Sequence, residues 1–228
     1  MSIERVQVNK ERCFARAEQL FLKVSGVGQE GEKFERMRRQ AYAIRQEIEP
    51  RVDVQAAYCC YGEFSLDGEV LTVGGRNLTC KAFAQLSPDS LEEVCVYAVT
   101  AGDYSLEERP IMDRLYADIW GTAFTDAMRE MLMDQLRECF SKQGGFGISD
   151  SFGPGFYGMD TAEMQKLPSL VDFQNLGMEV RESGIILPLK SCAGLVFKVN
   201  GRYEALNSAC EHCLGSVRTC SLCSMVGN

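Results

Sequence analysis

Two stretches of this chain carry residue types arranged for chemistry. Ser151-Phe152-Gly153-Pro154-Gly155-Phe156-Tyr157-Gly158 holds three glycines, a proline and three aromatics. Glycine lets a ligand approach the main chain, and proline stiffens that approach. Such a segment either turns, with its aromatics tucked into the core, or cradles something flat and apolar with a polar edge. Leu187-Pro188-Leu189-Lys190-Ser191-Cys192-Ala193-Gly194 lies between strand-like runs at 180–186 and 195–199. Read as a small-residue turn, it presents the Lys190 ammonium and the Ser191 hydroxyl.

A third signal is the tail, where Cys210 and Cys213 form one Cys-x-x-Cys pair and Cys220 and Cys223 a second. Each pair brings two thiolates to one side of a tight turn. Four thiolates suit Zn²⁺ or an iron–sulfur cluster. The gap between the pairs is shorter than in a zinc ribbon, and a reduced or redox-active tail is the alternative. His212 lies inside the first pair and reads as a residue beside the ligands or an exposed one.

Composition narrows the function classes. The 228 residues carry 24 basic and 32 acidic side chains, a net charge of −8. That balance argues against nucleic acid, which needs basic patches. The single histidine argues against His-based metal clusters and a Ser/His/Asp triad. No apolar run is long enough for a membrane helix, and the N-terminus lacks a signal pattern, so a cytoplasmic location is expected. Eleven cysteines in such a chain imply reduced thiols, metal ligation or redox work rather than a disulfide framework. The adjacent Cys59 and Cys60 read as one buried and one exposed thiol on a strand.

The elements that must position these groups follow from periodicity. Helices are predicted over Arg12–Lys23 and Glu32–Ile48, stopped by Gly26 and Pro50. Val52–Phe64 reads as a strand, and Leu66-Asp67-Gly68 as a hairpin turn into a strand at 69–73. Leu78–Leu86 reads as a short helix and Glu93–Thr100 as a buried strand. Glu107–Lys142 is the longest helical region, with Ile111, Leu115, Ile119, Ala123, Ala127, Met131 and Leu132 on one broad face. The small patch Gly121-Thr122-Ala123 suits close helix-on-sheet packing. The sum is an α+β fold, a twisted antiparallel sheet covered by helices. Residues 1–206 read as a single domain with a helical part over 1–50, and 207–228 as a cysteine-rich tail.

The Gly-Pro-Gly-aromatic segment is followed in order by Leu167-Pro168, Leu176-Gly177-Met178, Glu182-Ser183-Gly184, Pro188 and Lys190-Ser191-Cys192-Ala193-Gly194. This ordered set resembles the activation (reactivation) domain of cobalamin-dependent methionine synthase, and more closely its stand-alone form in anaerobic bacteria. The resemblance runs from about residue 146 to 199 and extends more weakly back to about residue 94. It implies binding of S-adenosylmethionine, whose methyl group is presented to a cobalamin carried by a partner, a methionine synthase or related corrinoid protein. It makes the chain an accessory to a methyltransferase rather than a complete enzyme, with flavodoxin or ferredoxin as a candidate reductant. The cofactors carry that chemistry, and the protein supplies orientation and exclusion of water. The resemblance puts ligand contacts at Ser151, Phe152, Gly153, Pro154, Gly155, Phe156 and Tyr157, at Lys190 and Ser191, and at Asp126 on the long helix. Methionine synthase members have an arginine where this chain has Ser151, which removes a carboxylate clamp; Arg181 or Lys190 are the candidate substitutes. Two other readings stand beside this one: an electron-transfer or metal-binding accessory protein working through the tail, and a corrinoid-protein scaffold that no longer binds S-adenosylmethionine.

Overall fold

A computed structural model describes residues 3–6, 8–104 and 106–206. Chain order runs β1 (Ile3–Arg5), α1 (Lys10–Ser25), α2 (Glu32–Ile48), β2 (Gln55–Tyr61), β3 (Phe64–Asp67), β4 (Val70–Val73), β5 (Arg76–Thr79), β6 (Leu91–Thr100), α3 (Ile111–Lys142), β7 (Gly147–Ile148), β8 (Glu179–Val180), β9 (Ile186–Leu187) and β10 (Ser191–Val199). The main sheet has the order β1-β2-β6-β10-β7, and every neighbouring pair is antiparallel. The three helices cover one face and a loop-rich layer covers the other.

The helix ends follow local chemistry. The Asn9 side chain accepts from Arg12 N at the start of α1, and Gly26, at φ 68°, closes it in the left-handed conformation. α2 ends two residues before Pro50, whose ring cannot continue a helix. Alternation along β6 sends Cys95, Tyr97 and Val99 to the helix face and Val94, Val96 and Ala98 to the other, so each face has its own core.

Trp120, fully buried on α3, ties the helices together. Its ring stacks on Phe21 of α1 with centroids 3.8 Å apart. Its Nε1 donates to Ala41 O of α2 at 2.9 Å, and the Arg45 guanidinium lies 5.2 Å above it.

Several local expectations need correction. Leu78 and Thr79, expected to open a helix, end the third strand of a β3-β4-β5 meander, and only Lys81–Gln85 make a short 3₁₀ turn. The stretch from Ser191 to Gly194 is the first half of β10 and not a turn. The reversal before it is made by Leu187-Pro188, joined by a cis peptide bond. The run at 180–186 is two two-residue strands around a turn. Ile111 and Leu115 are exposed, while Tyr116 and Ala117 on the adjoining face are buried. Cys60 is not a thiol but is disulfide-bonded to Cys95, its direct cross-strand partner. The Gly121 patch accommodates the Tyr104 phenol and the Lys190 side chain, which an added Cβ would strike.

Replacing Trp120 by alanine should cost about 3–5 kcal/mol, the range for deleting a large buried aromatic. Urea unfolding followed by circular dichroism measures it.

Candidate functional site

The site grows from the free edge of β10. β7 pairs with Lys198 and Val199 at one end of that strand. Further along, Phe152 N donates to Leu195 O at 2.9 Å and Leu195 N to Phe152 O at 2.8 Å. Between them Ser149 bonds Phe197 through both its amide and its hydroxyl. Residues 147–152 therefore run along the strand as a short, irregular extension of the sheet.

Gly194 makes this approach possible. A Cβ there would lie 2.3 Å from Phe152 O and 3.0 Å from the Tyr97 hydroxyl. Tyr97 is the cross-strand partner of Gly194, and its side chain reaches over the bare glycine to Ser151, with the two hydroxyl oxygens 2.6 Å apart. Burial pushes the Tyr97 phenol well above its ordinary value, so it stays protonated.

α3 supplies the charged groups beside this hydroxyl pair. Asp126 and Arg129 form a loose ion pair at 3.8 Å. Burial raises the Asp126 carboxyl, and the Arg129 charge pulls it partly back. Arg129 is two-thirds buried, and among the described residues its ion-pair partner is Asp126 and it makes no hydrogen bond. Its guanidinium shares a cavity of about 340 Å³ with Ser149, Asp150 and Ser151. Cys192 lies near both charged groups; desolvation pushes its thiol up to about 12, offset in part by Arg129. On the far side, Asp150 accepts from Tyr203 Oη at 3.1 Å and from Leu206 N at 2.8 Å, which fixes the chain leaving β10.

The Gly-Pro-Gly segment is a built turn. Gly155 N donates to Met159 O, and Phe156 N to Gly153 O, both at 2.9 Å. Gly155 and Tyr157 have φ of 90° and 55°. The Tyr157 carbonyl anchors the turn by accepting from Ala82 N at 3.2 Å. The three aromatics have different fates. Phe152 is wholly buried, packed on Phe83, Phe197 and Tyr157, so its ring is a core group and not a ligand-facing one. Tyr157 leans on Phe152. Phe156 is 68% exposed and presents its ring to solvent.

The residues singled out from sequence thus fall in different places. Asp126 and Ser151 belong to the region where the loop meets α3, whereas the turn from Gly153 to Tyr157 packs in the other layer, on Ala82 and Phe152. Lys190 and Ser191 do not join Asp126 and Ser151. The Lys190 ammonium bonds Asp118 at 2.6 Å and Thr122 at 3.1 Å. It borders a separate cavity of about 880 Å³ whose walls include Tyr104, Met178 and Pro188. Ser191 bonds Thr100 at 2.8 Å and stands three residues, about 10 Å, before Gly194. Arg181 is exposed and paired with Glu179 at 2.9 Å. Neither candidate substitute for the missing arginine therefore reaches Ser151, whereas Arg129 shares its cavity. The one sequence sign of Arg129 is its place one helical turn after Asp126, which puts both on one face. Cys210, Cys213, Cys220 and Cys223, with His212, lie outside the described residues.

No family model and no curated protein sequence matches this chain. Among solved structures it is similar to a crystal structure of the MetH reactivation domain bound to AdoHcy, with a TM-score of 0.65 and 14% sequence identity. The match covers 90% of this chain and 81% of that one. The chain therefore has the fold of that domain.

Gly194→Ala should destabilise by about 1–3 kcal/mol, the cost of overpacking, because the added methyl drives Phe152 O off the strand. Tyr97→Phe removes a single hydrogen bond and should cost about 1 kcal/mol. Chemical denaturation of the two variants measures both, and a Gly194→Ala protein as stable as the parent would contradict the close approach.

Proposed function

We propose that this chain binds S-adenosylmethionine where residues 148–151 meet α3, and serves as a stand-alone reactivation module for a cobalamin-dependent methyltransferase. The observation that carries the reading is that Arg129, paired with Asp126, and Ser151 line one opening, in a fold shared with a domain solved with AdoHcy. The residues present fit such a ligand. S-adenosylmethionine carries a carboxylate, an ammonium and a sulfonium. Arg129 is a permanently charged fork with free donors, suited to the carboxylate in place of the clamp that Ser151 cannot make. Asp126, paired with Arg129, offers a negative charge suited to a cationic group, and Glu130, Asp134 and Asp150 line the same opening. The exposed Phe156 ring, on the turn that follows, offers a face for adenine or for the sulfonium, the latter an attraction of about 0.5–2 kcal/mol.

Cobalamin, on the partner, would accept the methyl group; this chain's residues hold and orient the donor. Methyl transfer from a sulfonium requires no general acid or base. The groups near the opening agree with that demand, since the Tyr97 phenol and the Cys192 thiol are both held protonated by burial. The fold leaves Phe156 exposed on an otherwise half-buried turn, where a partner can reach it.

Isothermal titration with S-adenosylmethionine, with and without the corrinoid partner, tests the reading. Arg129→Ala should weaken binding at least about tenfold, or about 1.4 kcal/mol. Lys190→Ala, in the other cavity, should change it less than about twofold, roughly 0.4 kcal/mol. Absence of binding in both settings would defeat the proposal.

A pH dependence follows from Asp126. Its raised carboxyl loses its charge at a higher pH than an ordinary aspartate, and the protonated form no longer attracts a cation. Affinity should therefore fall as pH drops from about 7 toward 4, and Asp126→Asn should flatten that profile, as titrations across the range would show.

A further inference from the structure

Away from this site, a third cluster sits under the last turns of α3. Cys60 of β2 and Cys95 of β6 are direct cross-strand partners, and their sulfurs and a carboxylate oxygen of Glu93 all lie within 4.8 Å of one another. Cys60 and Glu93 open onto a cavity of about 270 Å³, whose walls also include Tyr58, Cys139 and Gln143. In the structure the two sulfurs are joined as a disulfide, while Cys13, Cys59, Cys80, Cys139 and Cys192 are free thiols.

We propose that the reduced form of this cluster is a binding site for a thiophilic divalent cation of the zinc class, held by Cys60, Cys95 and Glu93, and that the disulfide is its closed, metal-free form. Two arguments carry it. The first is preorganisation. Strand pairing between β2 and β6 runs unbroken on both sides of the cysteine pair, so the two side chains stay together whether or not the sulfurs are bonded. Two thiolates on one tetrahedral zinc ion, with Zn–S of about 2.3 Å, stand about 3.8 Å apart. That is close to the contact distance of two sulfurs released from a disulfide, so the backbone has nowhere to go.

The second argument is the donor set. Two thiolates and a carboxylate suit a soft-to-borderline ion and disfavour magnesium or calcium. Cys60 and Glu93 line the cavity, whose wall also carries the exposed thiol of Cys139 as a candidate fourth donor. Lys198 already bonds Oε1 of Glu93 at 2.7 Å, and its ammonium is also held by Gln143 and by the Phe146 ring. The second carboxylate oxygen remains for the ion. The chemistry balances. An external dithiol or a phosphine gives two electrons to the Cys60–Cys95 bond; two thiols form and the reductant is oxidised. Metal binding then releases the two thiol protons.

The test uses the full chain with Cys210, Cys213, Cys220 and Cys223 changed to serine, so that the tail cannot bind the probe. The protein is reduced with a phosphine under anaerobic conditions and titrated with Co²⁺. One equivalent should give a thiolate-to-cobalt charge-transfer band, displaced by zinc and absent when the pair is first oxidised. Cys60→Ser, a substitution at a partly exposed position, should abolish the band while circular dichroism stays unchanged, and Glu93→Gln should weaken cobalt at least about tenfold. No band in the reduced protein, or a band that persists in Cys60→Ser, would overturn the proposal.

Discussion

The reciprocal pair of backbone hydrogen bonds between Phe152 and Leu195 is the constraint on which the candidate site depends. It holds the loop after β7 against the edge of β10, and it exists only because Gly194 has no side chain. The Phe152 ring locks the same residue from the other side of the sheet, buried among Phe83, Phe197 and Tyr157. With Phe152 fixed, Ser151 falls under the Tyr97 hydroxyl, and the Gly-Pro-Gly turn is carried out to the surface with Phe156 at its tip. Freeing the loop at this point would separate Ser151 from Arg129 and Asp126, which belong to a different element.

That element, α3, is positioned by the opposite core. Its middle is clamped to α1 and α2 through Trp120, and its inner side rests on β6 and β10. About one and a half helical turns beyond Trp120 come Thr125 and Asp126, and then Arg129. Thr125 bonds Lys190 O at 3.0 Å and so ties the helix to the start of β10. The two cores thus meet at the opening, one holding the charged residues and the other holding the loop. A ligand bound there would touch both layers of the fold.

Much of the architecture is legible in the sequence where periodicity is strong. α1, α2 and β6 stand close to where apolar spacing puts them, whereas the run expected as one strand over 52–64 divides between β2 and β3 of two sheets, and the hairpin reverses only after Asp67. The misses share a physical cause, which is that tertiary packing overrides local preference. Ser191, Cys192, Ala193 and Gly194 are poor strand formers, yet they sit in a strand because Tyr97 and Phe152 need the space that small side chains leave. Arg76-Asn77-Leu78-Thr79 lacks a clear alternating pattern because it is the edge of a small meander with one buried residue, Leu78. The aromatics of the loop cannot be sorted by sequence, since burial of Phe152 and exposure of Phe156 depend on which side of the turn each occupies. Arg129 escaped because a charged residue on a helix ordinarily faces solvent; only the placement of Ser151 across the cavity gives it significance. The Cys60–Cys95 pairing depends on register, which no spacing within the chain reveals.

The most direct measurement is a crystal structure of the full chain with S-adenosylhomocysteine. The account predicts ligand density at the opening between α3 and residues 148–151, with its carboxylate on Arg129 and its ammonium beside Asp126. Density in the cavity bordered by Tyr104 and Lys190, or a chain that takes up no ligand at saturating concentration, would contradict it.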